Sequence, residues 1–356
     1  MKFGFEALFN TVNSKAFLTN VDTDSIVGGF NTRYPDGGSF YYSSSIYIHN
    51  TWFVHPKITL TGGVRLNYVG IQAQFKDTTY FPFPFTTAVQ NNVAVNGHLG
   101  FIYSPGKDWR ISILASTGFR APNIDDLTKV FDSAPGILFV PNPNISPEYS
   151  INGELNISKT FFKQVRIELV GFGTYIPSMI AAIPFTLNGA DSILYDGTMS
   201  AIYANQNANS GYIVGLNANI QANITKYFAM NSSLSYTYGR LIVSGIEQPL
   251  DHIAPMYGRT AAILNYKKWY AEASIMYSAP KLLVDYSSSG EDNLQYATNV
   301  GMPGWYSFNA KLGYSINKYI RIQVAVENIM DIKYRTFASG ISAAGRNVMV
   351  TLRSSF

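Results

Sequence analysis

From Ile58 to Tyr68 the chain reads ITLTGGVRLNY, with Ile58, Leu60, Gly62, Val64, Leu66 and Tyr68 on one side of an extended strand. Thr59, Thr61, Gly63, Arg65 and Asn67 fall on the other. A period of two held over about eleven residues describes a strand with one apolar and one hydrophilic face. The same alternation returns down the chain. It predicts strands at 1–9, 41–54, 58–68, 94–104, 109–119, 147–158 and 163–174. Further strands are expected at 210–222, 227–239, 253–266, 268–279, 304–316, 320–330 and 346–356, about fourteen in all. Between them, turns of roughly two to five residues, such as Pro105-Gly106-Lys107-Asp108, alternate with loops of roughly twelve to thirty-five.

Strands of this length can cross a bilayer at a tilt, and short turns opposed to long loops are the asymmetry of an outer-membrane barrel. Strands of a soluble sandwich average about five to six residues. The expected fold class is therefore all-β: a transmembrane antiparallel β-barrel formed by residues 1–356 as one domain. Composition supports it. Charged residues make up only 13% and aromatics 15%, which suits a surface that meets lipid. No run of 18 uncharged apolar residues occurs, so a transmembrane helix is not expected. Tyr and Trp gather near strand ends, among them Trp109, Tyr236, Tyr266, Trp269, Trp305, Tyr306 and Tyr314, as two interfacial belts would require.

Cysteine is absent, which excludes disulfides and thiolate chemistry. A net charge of +4 without a Lys/Arg cluster does not suggest nucleic acid. The four histidines, 49, 55, 98 and 252, lie in no metal-ligand spacing, so neither a metal nor a cofactor is expected. Ser39, Asp36 and His49 are near in sequence but match no catalytic motif, and no enzyme activity is expected.

Three runs carry more information. Ser116–Leu127 reads STGFRAPNIDDL; Asn142-Pro143-Asn144-Ile145-Ser146-Pro147-Glu148 follows; and Val326 to Tyr334 reads VENIMDIKY. Gly118, Phe119, Arg120, Ala121 and Pro122 are similar to the "GFRAP" run of TonB-dependent outer-membrane receptors. Asn142, Pro143, Asn144, Pro147 and Glu148 resemble that family's "NPNL-x-PE" run, with Ile145 where Leu is usual. Asn328, Asp331 and Tyr334 fit its "V-x-N-L-x-D-x-x-Y" run, and the chain ends, as family members do, on a strand with Phe356. The residue types point to structural roles. Pro122 stops ladder pairing, Asn142 to Asn144 form a turn, and Asn328 and Asp331 fix a loop by side-chain hydrogen bonds.

The resemblance implies a 22-stranded barrel filled by a plug, energised by the TonB–ExbB–ExbD complex. It implies a Gram-negative outer membrane with its lipid and lipopolysaccharide, and import of a scarce, bulky ligand. A ferric siderophore is favoured, with cobalamin, haem, glycan or peptide as alternatives and a surface lipoprotein as a further partner. Passive, porin-like diffusion is the rival mode. No plug, TonB box or signal peptide is recognised in these residues, and the parity of turns assigns the strands to numbers 9–22 of an incomplete barrel. The run Thr32 to Ser39 is similar to one in receptors of Bacteroidetes type. Haem receptors of the family usually carry a histidine between the two mid-barrel motifs, and none stands between Ala121 and Pro141. Ligand contacts are expected from Arg33, Tyr34, Tyr80, Phe81, Phe83 and Phe85 in the loops, and from Arg65 and Arg120 in the lumen. The same loop aromatics could instead pack on one another.

Overall fold

The computed structural model describes residues 1–29, 32, 34–77, 85–134, 136–207 and 210–355. Fourteen long strands form one antiparallel path in which each pairs with its neighbour in sequence order. They are β1 (Lys2–Val12), β2 (Ser39–His55), β3 (Ile58–Gln74), β4 (Thr87–Tyr103), β5 (Trp109–Arg120), β6 (Glu148–Phe161) and β7 (Val165–Ile176). There follow β8 (Ser210–Asn223), β9 (Phe228–Val243), β10 (Tyr257–Tyr266), β11 (Trp269–Ser278), β12 (Trp305–Ser315), β13 (Ile320–Glu327) and β14 (Asn347–Ser354). Among the described residues β1 pairs only with β2 and β14 only with β13, so the described wall is open at both edges.

The apolar sides do not meet in a sealed core. Val64, Leu99, Ile151 and Val350 are 53%, 63%, 58% and 73% exposed. Across neighbouring strands Ile157 pairs with Leu169, Leu169 with Ala218, and Ala218 with Leu234, which draws one apolar belt around the outside. The opposite face carries Arg65, Asn67 and Asn96, hydrogen-bonded among themselves, and the Arg259–Glu272–Lys311 cluster. A wall that is apolar outside and hydrated inside satisfies its backbone through the strand ladder, as hydrocarbon demands. Aromatic pairs mark both rims. Trp269–Tyr314 (4.6 Å between centroids) and Tyr227–Tyr266 (5.0 Å) sit by the short turns. Phe119–Tyr149 (5.4 Å) and Tyr212–Tyr238 (6.2 Å) sit by the long loops.

Two features differ from the sequence expectation. First, β3 and β4 run further toward the long loops than 58–68 and 94–104. Beyond Tyr68 the apolar positions change sides: Val69, Ile71 and Ala73 point inward and are buried, while Gln72 and Gln74 point outward and are exposed. The reversal marks where lipid ends and loops begin to cover the lumen. Second, the long loops are not irregular. Helix α1 (Ile124–Thr128) and a small sheet form from two of them, in the order Ile180–Pro184, Thr198–Asn207, Ile137–Phe139, Phe131–Ala134, with Ser192–Tyr195 alongside. Their core is Val130, Leu138, Val140, Leu187, Ile202 and Ala204. A second cluster, Ile71, Ile124, Leu127, Ile145 and Ile180, ties this cap to the wall. Four of its five strands are only three to five residues long, and the parallel pairing of Ala201–Tyr203 with Ile137–Phe139 joins one loop to the other, so no local alternation announces the sheet.

Candidate functional site

The two mid-barrel motifs converge on one knot. Arg120, the last residue of β5, lies directly across from Glu148, the first of β6. Its Nε reaches Glu148 Oε2 at 2.9 Å, and its two terminal nitrogens grip Asp126 at 2.6 and 3.3 Å. Asp126 occupies the third position of α1, where it completes a capping box with Asn123 and receives Asn205 Nδ2 at 3.0 Å. Glu148 accepts the Ile180 N–H from the next loop, and Asn142 donates to the Asn205 carbonyl at 2.9 Å. Pro122 is fully buried beside them. A guanidinium already shared by two carboxylates has little field left for an anionic ligand, so Arg120 acts as the buckle of the cap.

The third motif does similar work at the other end. Asn328, 3% exposed and left-handed at φ 49°, donates from Nδ2 to the carbonyls of Ile332 (2.9 Å) and Ala344 (3.1 Å). Its Oδ1 accepts the Ile332 N–H at 2.9 Å, and Asp331 accepts the Arg346 N–H at 2.8 Å. Asn328→Ala would remove the partner of three part-buried backbone groups and is expected to cost about 1–3 kcal/mol. Hydrogen exchange of residues 328–346 would report it as faster exchange confined to that loop.

Beside this knot the loops 279–304 and 328–346 enclose a cavity of about 350 Å³. Tyr286, Tyr296, Trp305, Tyr334, Lys333 and Arg335 line it. Trp305 stacks on Tyr334 with centroids 4.2 Å apart and planes at 24°. The Arg335 guanidinium lies 4.8 Å from the Tyr296 ring centre. Trp305 Nε1 is buried and makes no hydrogen bond. Lys281 Nζ is held by the Ile253 carbonyl at 2.7 Å and lies over Phe337. Burial lowers its pKa, and Asp285 and Asp292 pull it back up. Burial also raises the Tyr286 hydroxyl pKa, with Asp292 adding to the effect. Aromatic rings beside the Lys333 and Arg335 cations suit a flat, electron-rich, anionic group.

Of the loop residues expected to contact ligand, Arg33, Tyr80, Phe81 and Phe83 lie outside the described residues, as does Phe356. Phe85 packs edge-on to Phe75 at 5.7 Å, and Tyr34 packs on the cluster of Ile71, Ile124 and Leu127. Phe85 thus meets the other end of its own loop, and Tyr34 meets the junction of cap and wall. Arg65 does face the lumen, but it pairs with Glu6 at 2.5 Å and bonds Asn67 at 2.8 Å. The cavity at Trp305 was not legible in the pattern. Trp305 at a strand end reads as a belt residue, yet it shares the inward side with Ser307, Asn309 and Lys311 and stacks on Tyr334. Four aromatics at 286, 296, 305 and 306 around a loop were the available signal.

Comparison with known proteins agrees with this architecture. A family model described as TonB dependent receptor-like, beta-barrel matches residues 2–329. The probable hemoglobin and hemoglobin-haptoglobin-binding protein 4 of Haemophilus influenzae is 27% identical over 178 residues, covering 44% of this chain and 16% of its own length. Among solved structures, the copper transporter OprC superposes with a TM-score of 0.78 at 15% identity, covering 99% of this chain and 54% of OprC. The ferric-catecholate import receptor Fiu of E. coli K12 gives 0.64 at 15% identity, with coverages of 99% and 51%. The chain thus spans about half the length of these receptors, and at such identities the likeness is one of fold.

Proposed function

Because the chain belongs to the TonB dependent receptor-like β-barrel family, we propose that it forms barrel wall and loop cap of an importer that carries a ferric siderophore across a Gram-negative outer membrane. TonB–ExbB–ExbD would supply the energy through a plug, a separate domain of such receptors, and lipid and lipopolysaccharide would surround the belt. The family is one of receptors rather than enzymes. The observation that carries the ligand class is the cavity at Trp305, where aromatic rings and the Lys333 and Arg335 cations line one space. Chelating aromatic oxygens around iron offer the flat, anionic surface that such a lining recognises. Fiu, described as a ferric-catecholate import receptor, shares the fold.

The test is uptake of radiolabelled iron presented as a ferric catecholate to iron-starved cells carrying the receptor, with and without TonB. Uptake is expected to require TonB. Trp305→Ala and Arg335→Ala should each weaken ligand binding about tenfold, the equivalent of ~1.4 kcal/mol. TonB-independent passage of small uncharged solutes at the same rate as the chelate would mean a diffusion pore instead. Binding that ignores both substitutions would remove the cavity from the account.

A further inference from the structure

His49 and His98 are 49 residues apart in sequence and on strands that do not touch, since β3 runs between β2 and β4. Both nevertheless point into the lumen, and His49 Nδ1 lies 3.1 Å from His98 Nε2. The imidazoles meet above Gly63, the residue paired to each of them in the register. A Cβ at Gly63 would fall 2.7 Å from His98 Cε1 and 2.9 Å from the Ile48 carbonyl, so only glycine leaves room for the rings. The pair borders a cavity of about 310 Å³, also lined by Tyr47, Asn96, Ser116 and Thr117.

We propose that His49 and His98 form an open two-imidazole site for a late first-row divalent metal ion, Cu(II) above the others, on the inner wall. Two nitrogens 3.1 Å apart can share a metal at bond lengths of about 2.0–2.1 Å with an angle near roughly 98°. Over that range of lengths the angle is open to a tetragonal or a tetrahedral ion, so the preference for Cu(II) rests on the general affinity order of nitrogen sites. Thr51 Oγ1 lies 3.3 Å from His49 Nε2; in the tautomer with hydrogen on Nε2 that nitrogen donates to the hydroxyl, and Nδ1 keeps its lone pair toward His98. In that tautomer the hydrogen between the two rings is carried by His98 Nε2. On binding, that proton leaves Nε2 and the ring takes its neutral Nδ1–H form, so both inner nitrogens present lone pairs.

Among the described residues no group of three or more His, Asp or Glu gathers into a metal-binding cluster. The remaining positions therefore face the cavity, open to water or to donors that arrive with the metal. Arg65 beside the site is neutralised by Glu6. Lys2, paired with His49 in the register, is the cation the metal must tolerate, and its charge sits on a long flexible stem.

The experiment is a Cu(II) titration of the purified protein in detergent micelles, read by electron paramagnetic resonance. One saturable site with splitting from two nitrogens is expected. His49→Ala and His98→Ala should abolish the two-nitrogen signal, and Gly63→Ala, which keeps both histidines but crowds the rings, should weaken binding more than tenfold. Thr51→Val should weaken it about tenfold, and His252→Ala should change nothing. Heat-modifiable gel mobility of each variant checks that the wall has folded. Retention of the two-nitrogen signal in folded His98→Ala, equal losses in His252→Ala, or full affinity in folded Gly63→Ala would each overturn the site.

Discussion

Leu169→Arg is expected to destabilise the folded protein in a bilayer by about 2–4 kcal/mol, the cost of an arginine at the lipid midplane of a barrel. Leu169 is 45% exposed and stands midway along β7, flanked in register by Ile157 and Ala218. Its outer side is open, so in water the substitution would cost little. In lipid the guanidinium must either drag water inward or bend toward the headgroups. The control is Asn217→Arg, on the neighbouring strand but turned to the hydrated side, where it pairs with Val170. That change is expected to cost well under about 1 kcal/mol. Denaturant unfolding from lipid vesicles compares the two. Equal costs would show that the belt does not face hydrocarbon, and the outer-membrane assignment would go with it.

Arg120→Ala is expected to loosen the cap by about 2–3 kcal/mol while leaving the wall intact. The side chains of Asp126 and Glu148 are only 9% and 11% exposed, whereas that of Arg120 is 44% exposed. Removing the cation leaves two nearly buried carboxylates without their shared partner, close to one another and to the fold of the loops. Solvent access on the arginine side keeps the cost below the ~3–5 kcal/mol of a fully buried pair. Limited proteolysis should then cut within 121–147 and 177–209, with the long strands protected. Adding Glu148→Gln to the Arg120→Ala protein should recover part of the loss, because one of the two stranded charges is gone. If the single substitution leaves proteolysis unchanged, the knot does not hold the cap.

How far the sequence could be read depended on what each residue answers to. The fourteen wall strands were legible because a two-residue period is imposed on each strand separately by lipid on one side and water on the other. Leu169 and Ile157 declare their face without knowledge of each other. The motifs around Arg120, Asn142, Glu148 and Asn328 were recognisable as strings, and their structural role followed from residue type. That Arg120 closes on Asp126 and Glu148 together, however, required three chain segments in place.

The rest belongs to the tertiary structure. The cap core of Leu138, Ile202 and Ala204 forms where Ile137–Phe139 of one loop pairs in parallel with Ala201–Tyr203 of the next, a contact that no local period encodes. Trp305 takes the inward side with Ser307 and Asn309, but its stacking partner Tyr334 comes from a loop beyond the next strand. His49 and His98 met because the register brought Gly63 between them. Alternation along one strand states which side a residue takes; which residues share that side at the same height is decided only when neighbouring strands lock their hydrogen bonds, and contact between distant residues depends on both.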